Sequence, residues 1–458
     1  CIRDSPETAP PTTNDGGAAV EYALPATDGI DDPYFPGLGN GGYDVEHYLI
    51  DLRADPAGNT IDGTTTIEAV ATGDHSSFTL DLRGLEVATV TVDGAAVDYT
   101  RIGEELRVEA PLVAGESVTV AVAYGGTPEP VDDLGDGWQT GWIRNAEGTF
   151  VASEPGGART WFPANDHPSD KATFTFRITA PAGMTAVANG ELTDTIASES
   201  GDIYVWEMAD PMATYLATVV VAPLERVEHP PAAGVVLRDY LPPSYRGEAP
   251  DSFQKTGAMI EYFDDLFGPY PFDQYGHVIV SGFPAALETQ TMTVFGDAWF
   301  GSPFAEFVVA HELGHQWFGN HVSPTTWKDI WLNEGFATYA ELLWVEHLYG
   351  PVAMQAEAAS RYDDLRSTSH ALAGDPQPLR LFGISVYQRG ALTLHALRDG
   401  VGDEVFFEIL RTWVSRFGGR DGSTDDFIAL AEELSGADLG DLFESWLFTP
   451  ELPPLPSP

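Results

Sequence analysis

From about residue 43 to 225 apolar and polar residues alternate with a period of two. The segments YDVEHYLIDL, TTTIEAVAT, SVTVAVAY, ATFTFRITA and DIYVWEMA show it plainly, with Gly, Asp and Pro between them. Alternation of this kind puts one face of each strand into a core and the other into water. The pattern predicts an all-β domain, built as two packed sheets in the manner of a sandwich. Near 245–250 the period lengthens. SFQKTGAMIEYFDDLFG, PFAEFVVAHELGHQWFG, LNEGFATYAELLWVEHLYG, SVYQRGALTLHALRDGVG, EVFFEILRTWVSRFG and TDDFIALAEELSG read as helices. One further strand, YGHVIVSG, precedes ALETQTMTVF.

The fold class expected is therefore α+β and multidomain, an N-terminal β domain followed by a mainly helical one. The boundaries expected are 1–40 for a tether and leading loop, 41–228 for the β domain, 229–450 for the helical domain and 451–458 for a proline-rich tail.

The strongest chemical signal is HELGH at 311–315. On a helix, residues four apart share a face, so the imidazoles of His311 and His315 project together. Eighteen residues separate His315 from Glu334 in WLNEGFATYAE. That gap lets the first helix end near Gly319, the chain reverse through HVSPTTWKD, and a second helix return Glu334 to the histidines. Two neutral imidazoles and a carboxylate, with a fourth position free for solvent, are the ligands of a catalytic zinc. Glu312 lies beside the metal and is placed to take a proton from its water. The apolar flanks FVVA and QWFG bury this helix, where two histidines and a glutamate are costly without a compensating ion. Glu341 sits seven residues beyond Glu334 on the same helical face. Two readings stand for it, an acceptor that orients a histidine ligand and an ordinary solvated glutamate.

Charge changes the picture of partners. The 458 residues carry 70 Asp+Glu against 22 Lys+Arg, a net charge of −48, and the lysines are Lys171, Lys255 and Lys328 alone. Such a surface repels nucleic acid and anionic lipid headgroups. It reads either as a solvated acidic coat or as a field that gathers cationic peptide amines. The single cysteine excludes an internal disulfide. It is Cys1, followed by a Pro/Thr/Asp/Gly-rich stretch, which looks like the mature end of a bacterial lipoprotein. The expectation is an extracytoplasmic enzyme whose membrane contact is a lipid on Cys1. No run of 18 apolar residues exists to span a bilayer.

HELGHQWFGNHVSPTTWKDIWLNEGFATYAE resembles the gluzincin aminopeptidases, the family of aminopeptidase N and leukotriene hydrolase. The likeness extends in order and texture over roughly residues 40–450. It implies a thermolysin-like catalytic domain, one Zn2+ ion and peptide substrates with a free N-terminus. The family's GAMEN segment corresponds to AALET, 285–289. Glu288 is then the carboxylate for the substrate's α-amine, with Ala285 and Ala286 beside the substrate. Ala285, Leu287 and Thr289 depart from the family pattern, which leaves the first side-chain pocket open. Counting back from Asp166 in WFPANDHPSDKA, the resemblance assigns Glu154 as a second amine ligand, against a plain loop glutamate in SEPGG. It assigns Tyr387 in SVYQRGAL to the oxyanion, against a core tyrosine. Arg389 either supports the Tyr387 turn or pairs with an acid. The chain ends soon after FESWLFTP, which implies a compact two-domain member with a more open cleft. Two rival readings, a binding protein on a decayed peptidase fold and a thermolysin-type endopeptidase, are both disfavoured by Glu288.

Overall fold

In the computed structural model, residues 24–135, 137–368 and 371–456 are described. Cys1 and the tether expected over the first 23 residues lie outside them. From Leu24 to Gly42 the chain lacks apolar periodicity, yet Asp32 within it is buried. Asp32 Oδ1 accepts from the backbone N–H groups of Tyr34 and Phe35, at 2.7 and 2.8 Å. Its Oδ2 accepts from Trp327 N–H at 2.9 Å and faces His167 Nε2 at 3.1 Å. Polar contacts of Asp32 hold this segment down together with the scattered apolar residues Ala26, Phe35 and Leu38, which show no period.

The β domain contains three sheets among the described residues. An eight-stranded sheet runs in the order Glu191–Ser198, Gly201–Ala213, Lys171–Ala180, Tyr43–Asp55, Thr60–Ala71, Ser117–Gly126, Glu86–Val92, Ala95–Ala96. Its pairs are antiparallel except Tyr43–Asp55 with Lys171–Ala180. Burial alternates along Tyr43–Asp55 as the pattern predicts. A four-stranded sheet (Thr185–Ala188, Val219–Ala222, Thr149–Ala152, Gly141–Arg144) follows, with its Val219–Ala222 and Thr149–Ala152 strands buried throughout. Phe78–Asp81, Glu105–Val108 and Tyr99–Ile102 form the third.

The next strand, Glu225–Ala232, joins a five-stranded sheet with Val235–Leu241, Gln274–Val280, Thr293–Gly296 and Ala286–Leu287. Eight α-helices stand among the described residues: α1 (Thr256–Phe267), α2 (Ala305–Gly314), α3 (Trp331–Tyr349), α4 (Pro351–Ser367), α5 (Gly390–Val401), α6 (Asp403–Phe417), α7 (Thr424–Ser435) and the short α8 (Gly440–Phe443). The sequence pattern does not predict α4. That helix buries only Met354, Ala358 and Leu365, too sparse a stripe to register as a period. One continuous core joins both domains.

Candidate active site

α2 carries His311 in its last turn, and His315 follows its end in right-handed helical conformation. α3 opens at Trp331, which puts Glu334 in its first turn. Two close approaches bring the helices together. A Cβ on Gly314 would lie 2.9 Å from the Cβ of Ala340, and one on Gly335 would lie 2.9 Å from the backbone of Gly390. Glycine at 314 lets α2 rest on α3, and the Gly335–Gly390 pair draws the start of α5 onto the first turn of α3. Immediately before α5, residues Ser385–Arg389 form a π-helical turn. Tyr387 therefore reaches the histidines, its ring stacked on His311 at 5.9 Å and 20°.

His311 Nε2 and His315 Nε2 lie 3.1 Å apart, and Glu334 Oε2 lies 3.2 and 3.4 Å from them. The opposite ring nitrogens are committed elsewhere. His315 Nδ1 donates to the Phe318 carbonyl at 3.2 Å, and His311 Nδ1 donates to Glu341 at 2.8 Å. Both Nε2 atoms thus carry lone pairs aimed at one point shared with a carboxylate oxygen. Three convergent acceptors need a cation, and the N/N/O set suits zinc. Counted without that cation, burial lowers the basicity of both histidines, but the carboxylates outweigh it and raise them. Burial raises Glu334, yet the two imidazoles overcome it and bring it down to about 2, fully ionised.

Three more carboxylates surround this trio. One oxygen each of Glu154, Glu288 and Glu334 falls within 4.8 Å of the others. Glu154 Oε1, Glu288 Oε1 and Glu312 Oε2 are buried without a hydrogen-bond partner. Burial, and then the charges of Glu288, Glu334 and Glu312, hold Glu154 well above the ordinary carboxylate range. Burial pushes Glu312 up to about 8, before the charge of any bound cation is counted. Burial and the same four glutamates hold the Tyr387 phenol well above its usual value, so it remains a donor.

Ten of the residues singled out from the sequence line one cavity of 260 Å³ (Glu154, Ala285, Ala286, Glu288, His311, Glu312, His315, Glu334, Glu341 and Tyr387). Ala286–Leu287 is the edge strand of the five-stranded sheet and borders that cavity. Glu341 bridges His311 to Arg361 of α4 at 2.8 Å on each side. Glu154 lies in a turn and is buried, with an oxygen within 4.8 Å of one on Glu288. Arg389 donates to the carbonyls of Ser445 and Glu451, at 2.9 and 3.4 Å, and to that of Thr449. It secures the Tyr387 turn against the C-terminal segment. Sequence reasoning missed Arg361, which lies on the helix without a readable stripe. It also missed Gln316 and Asn320, although their four-residue spacing beside HELGH was visible.

A β-rich domain set against a helical one, with HExxH and a distant glutamate meeting at the junction, is the architecture of a metallopeptidase. Two family profiles match, the peptidase M1 N-terminal domain over residues 44–216 and the peptidase family M1 domain over 252–446. An M1 zinc metallopeptidase from Deinococcus radiodurans, solved as a mutant bound to a Tyr-Ser-Ala substrate, is 36% identical with a TM-score of 0.88. That match covers 94% of this chain and 100% of the other. Aminopeptidase N of Streptomyces lividans is 30% identical over 448 residues, covering 88% of this chain and 50% of the relative. Human endoplasmic reticulum aminopeptidase 1 is 27% identical, covering 79% and 42%. The chain belongs to peptidase family M1. It spans about half the length of these two curated relatives.

Proposed function

We propose that the protein is a zinc aminopeptidase that removes the N-terminal residue of peptides. The observation that carries this reading is the pair of buried carboxylates, Glu154 and Glu288, held beside Glu334 with unpartnered oxygens. Buried carboxylates without partners are costly, and a substrate ammonium offsets that cost by favouring their ionised forms through charge-assisted hydrogen bonds. The anchored amine brings the first peptide bond, and no later one, to the metal ligands. Exopeptidase action follows from that spacing.

His311, His315 and Glu334 hold the ion, which when bound supplies Lewis acidity to a water and to the scissile carbonyl. Glu312 takes the proton of the attacking water and passes it to the leaving amine. The Tyr387 hydroxyl donates to the carbonyl oxygen as it gains charge. Glu341, kept ionised by Arg361 and His311 against the penalty of burial, fixes the His311 tautomer. Ala285 and Ala286 give the substrate backbone a strand edge to lie along.

A second cavity of 320 Å³ shares Glu154, Ala285, Ala286, Leu287 and Tyr387 with the first and is walled by Leu134, Trp138, Phe283 and Phe382. It receives the first side chain. The decisive measurement compares hydrolysis of an aminoacyl-peptide with its N-acetylated form. The free peptide is cut far faster if the amine is anchored; equal rates would remove both glutamates from their roles and restore the endopeptidase reading.

A further inference from the structure

Glu288 anchors the amine in the reading above, and the inference here rests on that reading. Glu288 Oε1 has no hydrogen-bond partner and meets His315 Nδ1 only at 3.9 Å, so the Glu288 backbone has a large share in placing the carboxylate. That backbone is irregular. Glu288–Met292 lies between the short strands Ala286–Leu287 and Thr293–Gly296, and Thr291 adopts φ +64°. A segment outside the sheet ladder must find its hydrogen bonds elsewhere.

It finds them on the turn that follows the metal-binding helix. Gln316 Nε2 and Asn320 Nδ2 both donate to the Glu288 carbonyl, at 3.1 and 2.6 Å. Gln316 Oε1 accepts from Thr291 N–H at 2.9 Å. Gln316 and Asn320 are wholly buried. We infer that Gln316 and Asn320 are positioning residues that set the distance between the metal ligands and the ammonium anchor. Gln316 is the chain neighbour of His315, so a single residue step connects a metal ligand to the clamp on Glu288. Two donors on one carbonyl fill both of its lone pairs. Amides suit this task because they add no charge beside Glu288.

The β domain braces the same clamp. Lys171 Nζ donates to the carbonyls of Asn320 and His321, at 2.7 and 3.0 Å. Asn189 donates to the Gln290 carbonyl at 2.7 Å, and Arg238, from the five-stranded sheet of the catalytic domain itself, donates to the Thr291 carbonyl at 2.9 Å. The anchor is thus referenced to the metal from one side and to the β domain, which carries Glu154, from the other. Small errors in such a spacing cost a large part of the benefit of orientation.

The test uses the zinc-loaded full chain and two competitive inhibitors, leucine hydroxamate and its des-amino analogue. Both chelate the ion, and only the first carries an ammonium. In Gln316→Met and in Asn320→Leu, the preference for the amine-bearing inhibitor falls about tenfold, the scale of one displaced charge-assisted hydrogen bond. Affinity for the des-amino compound and zinc per chain stay close to the parent values. Where a buried amide variant does not fold, Lys171→Met loosens Asn320 from the opposite side and lowers the same ratio. An unchanged ratio overturns the inference. So does a parallel loss of both affinities with loss of zinc, which marks a purely structural role. A parent enzyme with no preference for the ammonium overturns the aminopeptidase reading itself, and that outcome is seen before any variant is made.

Discussion

Arg361 of α4 donates to Glu341 of α3 at 2.8 Å, and the other Glu341 oxygen accepts from His311 Nδ1 at the same distance. Arg361 is braced in turn by Glu357, one helical turn earlier, at 3.0 Å. A helix with almost no apolar stripe thereby orients a metal ligand. Glu341→Gln or Arg361→Met is expected to lower zinc affinity about 10–100-fold, read by competition with a chromogenic chelator. The overall fold should survive, because α4 keeps Met354, Ala358 and Leu365 in the core.

Removal of Glu312 separates binding from chemistry. Glu312→Gln is expected to lower kcat about 10²–10⁴-fold while zinc content and affinity for a free-amine inhibitor persist. Loss of zinc in this variant would move Glu312 from proton transfer to metal retention.

The Tyr387 hydroxyl acts only as the carbonyl oxygen gains charge, so Tyr387→Phe should depress kcat about 10²–10³-fold with little change in KM. The stacked contact with His311 is kept by phenylalanine. A rise in KM with unchanged kcat would show that the hydroxyl serves ground-state binding.

The apolar second cavity predicts preference. Aminoacyl amides of leucine, phenylalanine and methionine should exceed that of aspartate in kcat/KM. Of the two carboxylates on its wall, Glu154 is assigned to the amine, and the half-buried Asp133 is already paired with Arg159 at 2.6 Å. A preference for lysyl or arginyl substrates over leucyl would place the side chain elsewhere.

Stability should respond to pH through Asp239, which lies between His229 at 2.6 Å and His277 at 2.8 Å, remote from the metal. The hydrogen bond that His229 donates to Asp239 raises His229 above 6.5, against a smaller opposing effect of burial. Burial raises Asp239, but the charges of and hydrogen bonds to His277 and His229 overcome it and bring it below 3.8. The histidine contribution is complete below pH 6.5 and is lost as pH rises through the higher folded value. The aspartate contribution is present above pH 3.8 and is lost as pH falls through the lower folded value. The zinc-loaded protein should therefore lose melting temperature on the alkaline side more steeply than His229→Gln. Identical slopes would remove His229 from the account.

Much of this was legible in the chain. HELGH and the gap to Glu334 carried the metal ligands, because helical geometry converts a spacing of four into a shared face. The alternation from 43 to 225 carried the β domain, because a strand with one wet face writes its period into the sequence. Glu288, Glu154 and Tyr387 came from resemblance, since no local period marks a residue whose partner lies on another element. The sequence did not reveal α4, which buries too few residues to show a stripe, or the docking of residues 24–42, which combines polar contacts of Asp32 with aperiodic apolar ones.

The sequence by itself determined which side chains could bind a cation and which elements would bear them. Only the tertiary structure decided that Glu154, 134 residues before Glu288 in the chain, would sit beside it. Only it decided that Arg361 would stand behind His311, and that Gln316 and Asn320 would grip the Glu288 backbone. Local patterns record a residue's own face and period. Distances between elements are set by packing, through glycine contacts such as Gly314 on Ala340 and Gly335 on Gly390, and no single segment contains them.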